Sequence, residues 1–154
     1  MTNKKKIIIL IGTMTGNAEL VADDIVDHCS KENIETKIYE MDNIKPEKIK
    51  NFVDPILICT STYGQGDVPD NAKKLYNFLN KKKPNLNNIK YSIFGLGDKT
   101  YKETFSFGGK RFDKVLSSLG AQRIGKPFFH DASSGSLPEE DGVKWFKNNI
   151  QNFL

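Results

Sequence analysis

The stretch IGTMTGNAEL, residues 11–20, directly follows an unbroken run of aliphatic side chains, residues 7–10 (IIIL). A short aliphatic run of this kind is typical of a central parallel strand that is covered on both faces. Glycine and threonine then end the strand, and residues 18–29 place apolar side chains on one face of a helix. A strand that passes through a Gly/Thr loop into a helix creates a position where amides and hydroxyls can hold a phosphate group.

The same alternation of short apolar runs and helical patterns continues along the chain. Strands are predicted over residues 6–12, 34–41, 55–60, 91–95 and 124–130. Helices are predicted over residues 18–29, 46–52, 70–82 and 108–119, followed by a last helix with the apolar face Val143, Phe146, Ile150 and Phe153. We expect Asn33 to end the first helix, Gly120 to follow the 108–119 helix, and a capping box of Ser136 with Glu139 to begin the last one.

Five strands, each followed by a helical segment, predict an α/β fold. We expect a doubly wound five-stranded parallel sheet in the order 2-1-3-4-5, with right-handed crossovers. In this order the first and last helices share one face of the sheet, and the helices after strands 2, 3 and 4 cover the other. The length of 154 residues predicts a single domain over residues 1–154.

The composition predicts a cytoplasmic protein with no membrane partner. No apolar run approaches the roughly 20 residues of a membrane span, and the polar residues 1–6 do not resemble a signal peptide. Cys29 and Cys59 have no neighbouring cysteine or histidine at metal-binding spacing. We interpret both as reduced thiols in the core, and we expect no metal site.

The net charge of +4 is unevenly distributed along the sequence. Residues 73–126 carry 13 lysines and arginines against three acidic residues, a local balance of +10, whereas the first helix is acidic. A solvated lysine-rich surface explains this pattern, and so does a docking face for an acidic partner. Nucleic-acid binding is the weaker hypothesis, because no stacking aromatics interleave these lysines in a known module pattern.

Small polar loops follow strands 1, 3 and 4, where an open parallel sheet of this order binds its ligands. They are residues 13–18 (TMTGNA), 61–67 (STYGQGD) and 95–101 (GLGDKTY). The first loop contains no lysine, which excludes the P-loop signature, and there is no GxGxxG motif. A phosphate there would depend on hydroxyls, amides and the helix dipole, which suits one terminal monoester. A threonine-rich cap that satisfies only its own helix is the alternative.

Two tyrosines favour the phosphate site over the helix cap. Tyr63 and Tyr101 follow neighbouring strands, so their rings can lie on the two sides of a flat ligand. Either ring alone would more often be a surface packing residue. Together with the phosphate loop and the glycine-rich backbone, they predict a site for a planar heteroaromatic phosphate.

The segments GTMTGNAE, STYGQGDVPDNA, FGLGDKTY and LGAQRIG resemble the flavodoxin family. Within the family, the chain resembles the flavin mononucleotide (FMN) domains of cytochrome P450 reductase and sulfite reductase and the MioC-type short-chain flavodoxins. The resemblance extends from about residue 6 to residue 154, and no sizeable insertion interrupts the fifth strand.

The resemblance implies an FMN-binding electron carrier rather than a substrate-converting enzyme. It implies that residues 13–18 hold the FMN phosphate, that Tyr63 and Tyr101 face the two sides of the isoalloxazine ring, and that Asp131 lies near the flavin. The phosphate set is Thr13, Met14, Thr15, Gly16, Asn17 and Ala18. The residues implied to line the ring and the ribityl chain are Ser61, Thr62, Gly64, Gly95, Leu96, Gly97, Asp98 and Thr100.

The family also implies the partners, namely an NAD(P)H-dependent reductase as donor and a redox enzyme as acceptor, with the chain acting as a monomer. Two features depart from the family pattern. Typical flavodoxins are acidic, whereas this chain has a pI of about 8.9. The segment KETFSFGGK after Tyr101 is one residue longer than its counterpart in the diflavin domains, which affects the expected contacts of residues 102–109.

Two alternatives remain open at this point. A flavin-dependent quinone or nitro-group reductase would need a nicotinamide site, which no motif in the sequence supplies. A receiver-type regulator with the same fold would need acidic residues after strand 1 and an aspartate at the end of strand 3, where this chain has Gly12-Thr13 and Thr60-Ser61. His28 and His130 have no serine, cysteine or aspartate at a recognisable spacing and are interpreted as structural or solvated.

Overall fold

A computed structural model of the chain describes residues 4–154. The strands are β1 Lys5–Gly12, β2 Ile34–Glu40, β3 Ile56–Thr60, β4 Lys90–Gly97, β5 Gln122–Arg123 and β6 Phe128–Asp131. The helices are α1 Asn17–Lys31, α2 Asp70–Lys82, α3 Phe107–Ser118 and α4 Pro138–Trp145. Within the described range, no helix combines the length and the apolar character that crossing a membrane requires.

The sheet is parallel throughout and has the strand order β2-β1-β3-β4-β5, with β6 also paired to β4. The predicted fold class and strand order are therefore confirmed. Alternate residues of β1 enter two different cores, as expected of a strand covered on both faces. Ile8 and Leu10 pack with α2 and α3, whereas Ile7, Ile9 and Ile11 pack with α1 and α4.

The prediction of one continuous fifth strand over residues 124–130 is wrong. That position is shared by β5, which pairs with the start of β4, and β6, which pairs with its end. Between them Gly125 has a φ of +66°, and a Cβ built on it would clash with the carbonyl oxygen of Asn149. The chain leaves the sheet here because a left-handed glycine lets it pass close against the C-terminal segment.

Helix α1 forms as predicted, and so does its termination. Its apolar face (Ala18, Val21, Ala22, Ile25 and Cys29) is fully buried. Asn33 follows the helix with a φ of +57°, a left-handed conformation that asparagine tolerates.

Both cysteines are free and buried, and burial raises the pKa of the Cys29 thiol to about 12. The thiol therefore stays protonated at neutral pH, as expected of a core cysteine.

The predicted capping box of the last helix is wrong by one residue. Because Pro138 takes the first helical position, Leu137 is the N-cap, and Ser136 lies outside the helix. The Ser136 hydroxyl donates instead to Asp141 Oδ2, at 2.7 Å. The short 46–52 helix is a 3₁₀ helix, Pro46–Asn51.

The apolar face of the last helix is only partly as predicted. Phe146 and Ile150 are buried, but Phe153 is 56% exposed. After α4 the chain widens into a π-helical turn, Phe146–Ile150, and then tightens into a 3₁₀ turn, Gln151–Phe153. The change of helical period rotates Phe153 away from the core.

Candidate functional site

The loops that follow β1, β3 and β4 meet at the carboxyl edge of the sheet. The strand register places Gly12 beside Thr60 and Thr60 beside Gly95. The Thr62 hydroxyl donates to the Leu96 carbonyl at 3.0 Å and accepts from the amide of Gly108 at 3.0 Å. The second and third loops are therefore held together and joined to the start of α3.

The first loop turns the chain into α1 through Gly16, which has a φ of +93°. The Thr13 hydroxyl accepts a hydrogen bond from the Gly16 amide at 2.9 Å, and the Thr13 amide donates to Asn71 Oδ1 at 2.9 Å. Among residues 4–154, no acceptor binds the amides of residues 17–19. These are the free donors of a helix N-terminus, and Thr15 and Asn17 lie exposed beside them.

Met14 and Ala18 of the same loop attach it to its neighbours. The Met14 sulfur accepts from the Asp70 amide at 3.3 Å, and the Ala18 carbonyl accepts from the Cys59 thiol at 3.4 Å. Ala18 is buried, so it can offer a ligand only its backbone. These contacts anchor the loop to α2 and β3, while the exposed side chains of Thr15 and Asn17 make no hydrogen bond within residues 4–154.

The second loop is a closed turn with one unrestrained peptide. Tyr63 and Asp67 exchange two backbone hydrogen bonds of 2.8 Å each. Gly64 has a φ of +55°, and a Cβ built on it would contact nothing within 4 Å. The Gly64–Gln65 peptide makes no hydrogen bond to any described residue. Its C=O or its N–H can therefore turn toward the edge of the sheet.

The third loop is braced by two aspartates. Asp98 Oδ1 accepts from the Thr100 amide at 2.8 Å, and the Asp98 carbonyl accepts from the Tyr101 amide at 3.0 Å. Asp131, at the end of β6, accepts from the Lys99 amide at 2.9 Å. This bond holds the pKa of the Asp131 carboxyl below its usual value, because it stabilises the charged carboxylate.

A cleft of about 340 Å³ opens between the second and third loops. Its lining residues are Thr62, Gly64, Gly97, Asp98, Tyr101, Thr104 and Ser106. Tyr101 is 66% exposed on its wall, and Tyr63 is 46% exposed in the adjoining loop. Large rings with this exposure beside a cleft are suited to cover a flat ligand.

Not all of the predicted ring-contacting residues line this cleft. Gly95 is buried, and Leu96 packs its side chain in the core shared with α1 and α4. Ser61 lies beside the end of β1, where its amide donates to the Gly12 carbonyl at 2.9 Å. Thr100 lines a neighbouring hollow of about 530 Å³, whose wall also includes Tyr101.

Ser106 is a cleft residue that the sequence did not reveal. It is fully buried, and its hydroxyl has no hydrogen-bond partner in the described part of the chain. Its φ of +53° is unusual for a residue with a side chain. A Cβ on Gly95 would lie 2.6 Å from the Ser106 hydroxyl, so the absence of a side chain at Gly95 makes room for it. Ser106 borders the cleft, and a buried hydroxyl without a partner at this position fits a site that a polar ligand completes.

Comparison with known proteins agrees with this geometry. The sequence matches the flavodoxin family profile over residues 9–145. The chain belongs to the flavodoxin family. The predicted family is therefore confirmed.

Among curated relatives, this flavodoxin-family chain is 37% identical over 147 residues to the sulfite reductase [NADPH] flavoprotein alpha-component of Vibrio vulnificus, covering 95% of this chain and 23% of that protein. It is 37% identical over 124 residues to NADPH-dependent diflavin oxidoreductase 1 of Yarrowia lipolytica, covering 79% of this chain and 18% of that protein. The chain thus spans about a quarter or less of the length of these relatives.

Solved flavodoxin structures match the chain over nearly their whole length. A cysteine-to-serine mutant of flavodoxin from Pseudomonas aeruginosa superposes with a TM-score of 0.80 at 31% identity, covering 92% of this chain and 94% of that one. The Streptococcus pneumonia TIGR4 flavodoxin has a TM-score of 0.77 at 27% identity, covering 92% and 95%.

The first loop of this flavodoxin-family chain, residues 13–18, is connected to a partly buried carboxylate, which the sequence also did not reveal. Asn71 accepts from the Thr13 amide and donates to Glu40 Oε2 at 2.8 Å. Burial, together with the nearby Glu19 carboxylate, raises the pKa of Glu40 to about 7. A negative charge on Glu40 is thereby disfavoured beside a loop suited to an anion.

His130 has an aspartate partner that no spacing in the sequence indicates, and its buried contact agrees with the structural role that was one of the two interpretations. His130 is buried, and its Nδ1 lies 2.9 Å from Asp141 Oδ2. Ser136 donates to the same carboxylate oxygen. Because serine and histidine both bind the aspartate and not one another, the arrangement is not a nucleophilic triad. It ties β6 to α4.

Proposed function

We propose that the chain binds FMN and carries electrons from an NAD(P)H-dependent reductase to an acceptor redox enzyme. Residues 1–154 form one FMN-binding domain, which works in the cytoplasm as a monomer and does not itself convert a substrate. The observation that carries the proposal is the cleft with the unpartnered Ser106 hydroxyl in the described part of the chain. It lies at the same sheet edge as a helix N-terminus with free amides.

The FMN phosphate is assigned to residues 13–18. This loop contains no lysine or arginine, so the contacts come from hydroxyls, amides and the positive end of α1. The Thr13 hydroxyl accepts from Gly16 and still has its own proton to donate. Such a set suits a single terminal phosphate, because it brings donors without the cations that a triphosphate requires.

The isoalloxazine ring is assigned to the cleft between the second and third loops, with Tyr63 and Tyr101 covering its two faces. When bound, the flavin supplies the redox chemistry, and the protein supplies orientation and electrostatics. The polar groups assigned to the ring and the ribityl chain are those of Ser61, Thr62, Gly64, Gly95, Leu96, Gly97, Asp98, Thr100 and Asp131. Ser106 adds one hydroxyl to this set.

The Gly64–Gln65 peptide and Tyr101 suit this site to a ligand that changes its charge and protonation, and two aspartates keep the site in place. The Gly64–Gln65 peptide can present either its carbonyl or its amide, because glycine adopts positive φ at little cost. Tyr101 excludes water from one face of the ring. Asp98 and Asp131 keep the third loop in place through bonds to its amides.

The test is to purify the chain, record its visible spectrum, and identify the flavin released on denaturation. Titration of the flavin-free protein should show much tighter binding of FMN than of riboflavin, because only FMN engages the 13–18 loop. Equal affinities would overturn the phosphate assignment. Rapid NAD(P)H consumption by the isolated chain would instead support the alternative of a flavin-dependent quinone or nitro-group reductase.

A further inference from the structure

A groove of about 450 Å³ runs along α3 and faces α2, on the sheet side opposite α1. Its apolar lining consists of Tyr76, Phe107 and Val115, and its cationic lining consists of Lys110, Arg111 and Lys114. Asn80 and Ser118 complete the wall. The groove has the volume of a small-ligand pocket, and its mixed lining is that of a recognition site rather than of a uniformly solvated surface.

The three cations of this groove are not neutralised by the protein. In the described chain, no carboxylate lies within 4.0 Å of any of them, whereas Arg123, on the same face of the sheet, pairs with Asp113 at 2.7 Å. Lys110 instead lies over the rings of Phe105 and Phe129, at 5.1 and 5.4 Å from their centroids. Aromatic rings hold a cation in position without cancelling its charge.

Arg111 is the most restrained of the three. Its Nε donates to the Gly66 carbonyl at 2.7 Å, and its guanidinium lies 5.9 Å from the centre of the Phe107 ring. Its two terminal amino groups have no partner among residues 4–154. A guanidinium fixed in this way can bind a carboxylate with two hydrogen bonds, and little side-chain freedom is lost because the side chain is already ordered.

The groove is continuous with the second loop of the candidate flavin site. A Cβ built on Gly66 would lie 2.8 Å from the Phe107 ring, so Phe107 and Arg111 belong to the groove and also support the 63–67 loop. A polypeptide seated in the groove therefore lies beside the loop that is assigned to the flavin. Electron transfer requires this proximity.

We propose that this groove docks an acidic segment of a redox partner protein. A carboxylate binds the Arg111 fork, further carboxylates pair with Lys110 and Lys114, and an apolar side chain packs on Tyr76 and Val115. The partner's redox role rests on the function proposed above, but binding of the segment does not.

A polypeptide fits the groove better than a nucleic acid does. The Tyr76 ring packs edge-on against Phe112, at a centroid distance of 5.4 Å, and the Phe107 ring lies under Lys110 and Arg111. Neither ring is free to stack on a base, and single-stranded nucleic acid needs such stacking platforms along a basic track.

The probe is a capped hexapeptide, acetyl-EELFEE-amide, with acetyl-QQLFQQ-amide as its uncharged counterpart. Binding is measured by the shifts of backbone amide signals in the full chain, with and without FMN, at about 20 and about 150 mM salt. We expect the acidic peptide to move signals along α3 and in the 63–67 loop, and to bind more weakly at the higher salt. Equal binding of the uncharged peptide would overturn the proposal.

Two triple variants with the same loss of charge provide the matched comparison. K110Q/R111Q/K114Q should weaken binding about tenfold or more. K81Q/K82Q/K83Q, on the same lysine-rich surface but outside the groove, should weaken it less than about threefold. Equal losses would mean that only overall charge matters, and the proposal would fail. The double variant K110Q/K114Q retains the bond from Arg111 to Gly66. If the peptide binds this variant more weakly, and the 63–67 loop signals of the peptide-free variant match those of the parent, damage to the loop is not the cause.

Two further measurements separate the remaining outcomes. A short single-stranded oligonucleotide is added to the peptide complex. If it displaces the peptide at a lower concentration than the peptide requires to bind, the groove is a nucleic-acid site and the proposal is wrong. FMN titration of the unchanged chain tests the proposed function separately. Failure to bind FMN would reject that function, whereas the map of peptide contacts would still decide whether the groove binds an acidic segment.

Discussion

Replacing Ser106 with alanine should change the flavin-free protein and the FMN complex in opposite directions. The hydroxyl is fully buried and unpartnered in the described chain, so it carries the desolvation penalty of a buried polar group. That penalty is about 1–3 kcal/mol. Serine and alanine experience similar backbone strain at a φ of +53°, so this contribution nearly cancels between them. The free energy of unfolding of the flavin-free variant should rise by about 1 kcal/mol.

In the FMN complex the same hydroxyl is expected to donate to, or accept from, a polar atom of the cofactor. Losing an ordinary hydrogen bond costs about 0.5–1.5 kcal/mol, which weakens FMN binding roughly two- to twelvefold. The relevant measurements are urea unfolding of the flavin-free protein and fluorescence titration with FMN. A flavin-free variant that is less stable than the parent, or one that binds FMN with unchanged affinity, would refute the reasoning.

Ser92→Ala is the matched control for this experiment. Ser92 is also fully buried, but its hydroxyl donates to the Ile56 carbonyl at 3.3 Å within the sheet. Removing it should lower the stability of the flavin-free protein by about 0.5–1.5 kcal/mol and leave FMN affinity unchanged. The two serine variants should therefore differ in the direction of the stability change and in whether FMN affinity falls.

Three other substitutions test the remaining assignments. Thr15→Ala should weaken FMN binding by about 1–3 kcal/mol, the cost of losing a hydrogen bond to a charged group, while riboflavin binding stays unchanged in a parallel titration. Tyr101→Ala admits water to a ring that carries a negative charge when fully reduced, so spectroelectrochemistry should show a higher second one-electron potential, by roughly 40 mV for each kcal/mol. Glu40 holds its proton more tightly in the folded chain, with a pKa of about 7. The free energy of unfolding should therefore fall by about 1–2 kcal/mol, allowing for solvent screening, as the pH rises from about 4.5 to about 7. Glu40→Gln should remove most of that decrease in urea titrations across this range, and an unchanged pH profile would contradict it.

Local patterns in the sequence determined the architecture and the edge of the sheet where the site lies. The aliphatic run at residues 7–10 predicted a strand covered on both faces, and the helical spacing of residues 18–29 predicted a helix directly after the Gly/Thr loop. Both signals are carried by neighbours within one element, so they can be read without tertiary information. The three polar loops then lie together, because parallel strands end at the same edge.

Tertiary structure decided what depends on residues far apart in the chain. Asn71 bonds to Thr13 across 58 residues and to Glu40 across 31, and Arg111 reaches Gly66 across 45. No local pattern encodes these contacts, so neither the raised pKa of Glu40 nor the link between the groove and the loop could be predicted. The unpartnered Ser106 hydroxyl has the same origin, because a hydroxyl is buried or solvated, paired or unpaired, only after the segments around it have packed.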